Sequence, residues 1–124
     1  MTARPRALAA LAAACGFLAV AAGAFGAHGI EDPTAKSLLH TGGEYGLIHA
    51  LAVFAALFVE GQGGRGARVA AWLFLVGGTV FAVSLYLLAL TGVRWLGAIT
   101  PVGGLGMLAG WLVLGFAAVS ERAR

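Results

Sequence analysis

The chain has 124 residues, of which 60% are hydrophobic and only 10% charged, with a formal net charge of +3. Soluble domains run near 45–50% apolar and about 25% charged, and a domain this small buries only about 60–70% of its unfolded surface, so a water-dissolved fold would display large apolar patches. Composition therefore excludes an ordinary soluble globule, and the scatter of eight Lys and Arg with no basic run excludes a nucleic-acid-binding surface.

The first uncharged stretch runs from Ala7 to Ala27, behind Arg4 and Arg6. That pattern also describes a secretory signal, but the apolar run exceeds the 7–15 residues of a signal core, and Ala12-Ala13-Ala14 before Cys15 is a poor lipoprotein signal. A retained membrane span is expected, so the mature protein should begin at or near Met1 or Thr2. The single cysteine, Cys15, precludes an internal disulfide or a Cys-rich metal site and reads as a small packing residue.

Residues Ile30 to Thr41 read as an ordinary connection. The second stretch, Tyr45 to Val59, gives only about 22 Å of helix, and a hydrocarbon core of about 30 Å needs roughly 20 residues. It must therefore recruit His40 to Glu44 or thin the bilayer. Gly61-Gln62-Gly63-Gly64-Arg65-Gly66 follows as a flexible turn. The third and fourth stretches, Val69 to Leu90 and Ala98 to Val119, are long enough outright. The expected architecture is all-α, a single integral membrane domain forming a four-transmembrane-helix up-down bundle, with spans near 7–27, 41–60, 69–91 and 98–119. No internal repeat supports an inverted-repeat transporter.

Positive charge sets the orientation. Arg4, Arg6, Arg65, Arg68, Arg122 and Arg124 fall on one side, against Lys36 and Arg94 on the other. This predicts both ends in the cytoplasm, N-in and C-in, in a bacterial inner membrane. Tyr45 and Trp95 fit an outer aromatic belt and Trp72 an inner one, whereas Trp111 lies deeper and should pack on a neighbouring helix.

Twenty glycines suit close helix approach in lipid, where association depends on packing. Gly42 with Gly46, and Gly106 with Gly110, form GxxxG pairs, and Gly16, Gly23, Gly26, Gly77 and Gly78 add further small surfaces. The motif is common in apolar sequence and does not by itself specify a dimer.

Reckoned from the ends of the uncharged stretches, the polar side chains gather in the outer half: His28, Glu44, Tyr45, His49, Ser84, Tyr86, Arg94 and Thr100, beside Pro101. The inner half holds little beyond Thr79 and Cys15. His49 is expected to meet the third helix near Ser84, within reach of Glu44 or Arg94, because a lone imidazole in lipid needs partners. Such a cluster is either a ligand, ion or proton site or a set of polar ties between helices. Ser84, His49 and Glu44 have the residue types of a hydrolytic triad, yet Ala82-Val83-Ser84-Leu85 is no nucleophile elbow. His40 and Glu44, with His28 or His49, have metal-ligand residue types, but HxxxE is too frequent to carry a site. No catalytic residue, metal or cofactor is assigned.

Gly23-Ala-Phe-Gly-Ala-His-Gly29, Tyr45-Gly-Leu-Ile-His-Ala-Leu51, Ser84-Leu-Tyr-Leu-Leu-Ala-Leu-Thr-Gly92 and Arg94-Trp-Leu-Gly-Ala-Ile-Thr-Pro-Val-Gly-Gly104 together resemble the YgdD/YwdK-like family of small bacterial membrane proteins (DUF423). The resemblance covers almost the whole chain. It implies an inner-membrane protein of about this length with several spans, in a family without an established activity, and its distinctive polar residues fall on His28, Tyr45, His49, Ser84, Tyr86, Arg94, Thr100 and Pro101. The expected function is a non-enzymatic membrane protein that binds or conducts something small, or assembles, through the outer cluster. The alternative is a structural or accessory subunit. The partners expected are the lipid bilayer and either a second copy of the chain or another membrane protein.

Overall fold

A computed structural model describes residues 3–120 as four helices: α1 (Ala3–His28), α2 (Pro33–Gly61), α3 (Ala67–Thr91) and α4 (Leu96–Val119). All four are long and apolar enough to cross a membrane, and no strand occurs among the described residues. The chain is a four-helix up-down membrane bundle. Arg122 and Arg124 lie outside the described residues, as do Met1 and Thr2.

α2 starts eight residues before the expected span. Asp32 adopts an extended backbone and its Oδ2 accepts the Ala35 N–H at 2.8 Å, with Pro33 at the first helical position. An N-cap acid followed by a proline pre-set for helix is a strong start signal. The connection read over Ile30 to Thr41 therefore shrinks to a short turn. At 29 residues α2 is roughly 43 Å long, more than a core of about 30 Å needs without tilt. Lys36 reaches back from its first turn and its Nζ donates to the Ala27 carbonyl at 2.9 Å, satisfying a C-terminal acceptor of α1.

The helices pack in chain order, α1 on α2, α2 on α3 and α3 on α4. No Cα of α1 comes within 8 Å of one in α4, so the bundle is an open, curved row. Its apolar core lies toward the end that holds the described chain termini. Leu8 and Ala12 from α1 meet Val53, Ala56 and Leu57 from α2 and Ala70, Ala71 and Phe74 from α3, with Val113 and Leu114 of α4 against them.

Close approach depends on glycine where α3 crosses α4. A Cβ on Gly103 would fall on the Phe81 backbone nitrogen, and one on Gly77 would lie 2.9 Å from the Gly103 carbonyl oxygen. The two backbones touch there. Both GxxxG pairs are consumed within the chain: Gly110 receives the Phe74 ring, and Gly42 with Gly46 form a notch under Tyr86.

The α2–α3 turn is tied rather than flexible. Gly63 and Gly66 supply positive φ (89° and 82°). Gly64 is wedged so that a Cβ would lie 2.7 Å from the Ala117 carbonyl oxygen. Arg65 N donates to Ser120 Oγ at 3.0 Å, and Arg68 forms an ion pair with Glu60 at 2.9 Å. The glycines that suggested a loose linker serve conformation and contact instead.

Candidate functional site

The polar residues of the spans divide into separate sets. His49, 5% exposed, has both ring nitrogens occupied: Nδ1 lies 2.7 Å from the Tyr45 carbonyl oxygen, and Nε2 accepts from Trp111 Nε1 at 3.0 Å. An indole N–H only donates, so Nε2 is the unprotonated nitrogen and Nδ1 carries the hydrogen that goes to Tyr45. The ring also lies among aromatics, stacked near Tyr45 and tilted against Phe74, with the Phe74 and Trp111 centroids 4.8 Å apart. Trp111 thus packs on the neighbouring helix as expected, and its hydrogen bond to His49 is an addition that spacing did not signal.

Ser84, 4% exposed, belongs to a second set: its Oγ is 2.6 Å from Thr100 Oγ1 and donates to the Phe81 carbonyl at 2.8 Å. This joins α3 to α4. Tyr86 forms a third, lying in the Gly42–Gly46 notch and donating to the Gly42 carbonyl at 3.2 Å, which joins α3 to α2. Cys15 Sγ and Thr79 Oγ1, 3.4 Å apart, make a fourth tie between α1 and α3.

His49 meets α3 at Phe74 and Gly78 rather than near Ser84. Gly78 and Ser84 differ by six residues, roughly 9 Å along a helix. Charge interrupts the apolar run at Glu44, but α2 continues back to Pro33, so His49 lies further from the start of its helix than hydropathy suggests. Glu44 is exposed and contacts only its helical neighbour His40, at 3.4 Å. His28 and Arg94 are exposed at the last residue of α1 and in the α3–α4 turn. These three residues are not brought to His49. Among the described residues, no three His, Cys, Asp or Glu side chains converge on a metal-sized site.

One face of α2, carrying Thr41, Tyr45 and His49 at i, i+4 and i+8, looks across at Pro101, Gly104, Leu105, Leu108 and Trp111 of α4. Between them lies a groove of about 610 Å³, with Phe81 and Met107 also lining it. It opens sideways, and the His49–Trp111 bond closes the end nearer the described chain termini. Tyr45 and Trp111 are 44% and 45% exposed along it. The sequence contained this stripe, but the groove exists only because α2 and α4 diverge on either side of α3. A second, smaller space of about 40 Å³ lies between α1, α2 and α3, against the other side of His49.

A family profile described as "Protein of unknown function (DUF423)" matches residues 22–104. The chain is 41% identical over 107 residues to a UPF0382 membrane protein of Staphylococcus haemolyticus, covering 84% of this chain and 88% of that one. It is 41% identical to the UPF0382 membrane protein YwdK of Bacillus subtilis, over 82% of this chain and 87% of the relative. It is likewise 41% identical to the UPF0382 inner membrane protein YgdD of Escherichia coli, over 83% and 82%. No solved structure matches.

Proposed function

The chain belongs to the DUF423 family, and from that premise we propose that this multi-pass inner-membrane protein binds a small amphipathic ligand taken laterally from the bilayer. The observation that carries the reading is the α2–α4 groove, roomy, open to lipid and closed at one end by the His49–Trp111 bond. Ligand pockets of this size class, mostly apolar with a few placed polar groups, are the usual form of a small-molecule site. Conduction has less support: the space between α1, α2 and α3 has room for only about three waters, and no buried side-chain polar atom among the described residues lacks a partner.

In this reading Tyr45 and His49 belong to the ligand site. Ser84, Thr100 and Tyr86 hold the helices that shape it, and His28, Glu44 and Arg94 stand outside it.

Gly104 provides the test, because a Cβ there meets only Phe81 Cδ2, at 4.0 Å, while the residue lines the groove. Native mass spectrometry of the full chain released from its own membranes should show a retained small adduct. Gly104→Leu should lose it and Gly104→Ala should keep it. Equal retention in both variants, or no adduct in the unaltered protein, would reject the reading.

A second reading, an accessory subunit, is favoured by the unclosed row: α1 and α4 leave faces that a partner helix would cover. Recovery of one membrane protein at stoichiometric yield from mild detergent, undiminished by Gly104→Leu, would favour it instead.

A further inference from the structure

We infer that the α2–α4 groove takes a flat, uncharged ring carrying carbonyl acceptors on an apolar tail, the chemistry of a membrane quinone. The inference rests on the groove being a ligand site, and three observations set the ligand's class. First, four rings line part of the wall: Tyr45 and Phe81 lie 5.3 Å apart at a 56° tilt, and Trp111 stands edge-on to His49 at 5.9 Å. Rings in these arrangements present faces and edges that a planar guest complements by offset or edge contact.

Second, the hydrogen-bonding groups left over are donors. The hydroxyls of Thr41 and Tyr45 have no partner among the described residues, whereas both His49 nitrogens are taken. Hydroxyl donors facing an apolar slot suit a carbonyl oxygen. Third, no Lys, Arg, Asp or Glu lines the groove, so a phosphate, carboxylate or ammonium headgroup would enter without a counter-charge, which is costly at this depth. Thr41 and Tyr45 offer hydroxyls at one end of the groove, whereas His49 and Trp111 at the other end are bonded to each other. The ring accordingly sits toward Tyr45, and its tail leaves sideways into lipid.

The full chain, in lipid nanodiscs and carrying W72F and W95F, leaves Trp111 as the sole tryptophan. Titration with a short-tailed benzoquinone should quench Trp111 saturably, above the linear loss from quinone dissolved in lipid. Gly104→Leu should abolish the saturable part. Thr41→Val with Tyr45→Phe should raise the half-saturating mole fraction by about tenfold, the order expected for losing two net hydrogen bonds. Purely linear quenching, or saturation unmoved by the hydroxyl variants, overturns the inference. If a phospholipid with brominated tails instead quenches saturably and Gly104→Leu removes that effect, the groove remains a ligand site and only the ring chemistry is wrong.

Discussion

At the scale of single residues, His49 and Gly103 mark two ways of holding helices together in lipid, and their magnitudes differ. Interhelical hydrogen bonds in a membrane average about 0.6 kcal/mol, with a maximum near 1.7. Trp111→Phe keeps most of the ring packing against Phe74 but leaves Nε2 of His49 without its donor. It should therefore cost about 1 kcal/mol in reversible unfolding, and Trp111→Phe combined with His49→Ala should cost less than the sum of the two singles. Additive costs would show that the bond contributes nothing of its own. Nitrogen NMR of labelled imidazole should show the Nδ1–H tautomer in the unaltered protein, with the other tautomer excluding the bond as drawn.

Gly103→Ala acts on backbone rather than on a flexible side chain. α3 and α4 must separate, so the loss should reach about 1–3 kcal/mol, the range for overpacking. Gly115→Ala is the control, since a Cβ there meets nothing within 4 Å. It should be neutral, or stabilising by up to about 1 kcal/mol through helix propensity. Equal effects at the two positions would mean that the crossing is not limited by backbone contact.

At the scale of the elements, spans follow from where charge interrupts hydrophobicity, and that is why four helices were legible and their ends were not. The start of α2 is written as Asp32-Pro33, a capping signal, but it lies in a polar stretch that a hydropathy reading treats as loop. Depth read from that charge boundary is shifted accordingly: it predicts His49 near Ser84, and the structure sets it beside Gly78. The residue types of a polar cluster were legible; its pairings were not, because they depend on rotation and register between helices distant in sequence. Ser84–Thr100, Tyr86–Gly42 and His49–Trp111 are separated by 16, 44 and 62 positions.

The Gly61–Gly66 turn shows the same limit, since glycine composition alone does not distinguish looseness from tight contact. Here the structure makes a discriminating prediction. Gly64→Ala should lower the melting temperature by several degrees, its Cβ being driven against Val59 and the Ala117 carbonyl, while Gly61→Ala should not, nothing lying within 4 Å of its Cβ. A turn tolerant at both positions would be flexible after all.

At the scale of the whole molecule, four antiparallel helices bring both described ends to the same side of the bilayer, and the charge bias selects which side. The positive-inside rule counts Lys and Arg in short loops and near span ends, and each connection here is short. Arg4, Arg6, Arg65 and Arg68 lie at one end of the bundle and Lys36 and Arg94 at the other, and the sequence adds Arg122 and Arg124 after α4. Two features of the structure bear on the weight of individual charges. Arg68 is neutralised in part by Glu60, which matters little because acidic residues contribute weakly to the bias. Lys36 is engaged with the Ala27 carbonyl, yet it still counts as a cation on its own side. The proposed orientation is accordingly N-in and C-in. Reporter fusions after Gln62 and after Arg124 should behave as cytoplasmic, and those after Lys36 and Gly92 as external. Intact-mass measurement should find α1 retained, which keeps it in the count. An external C-terminal reporter on a chain of full mass would mean that one helix fails to cross. Loss of about 20–30 N-terminal residues would remove α1 and place the two ends of the remaining helices on opposite sides.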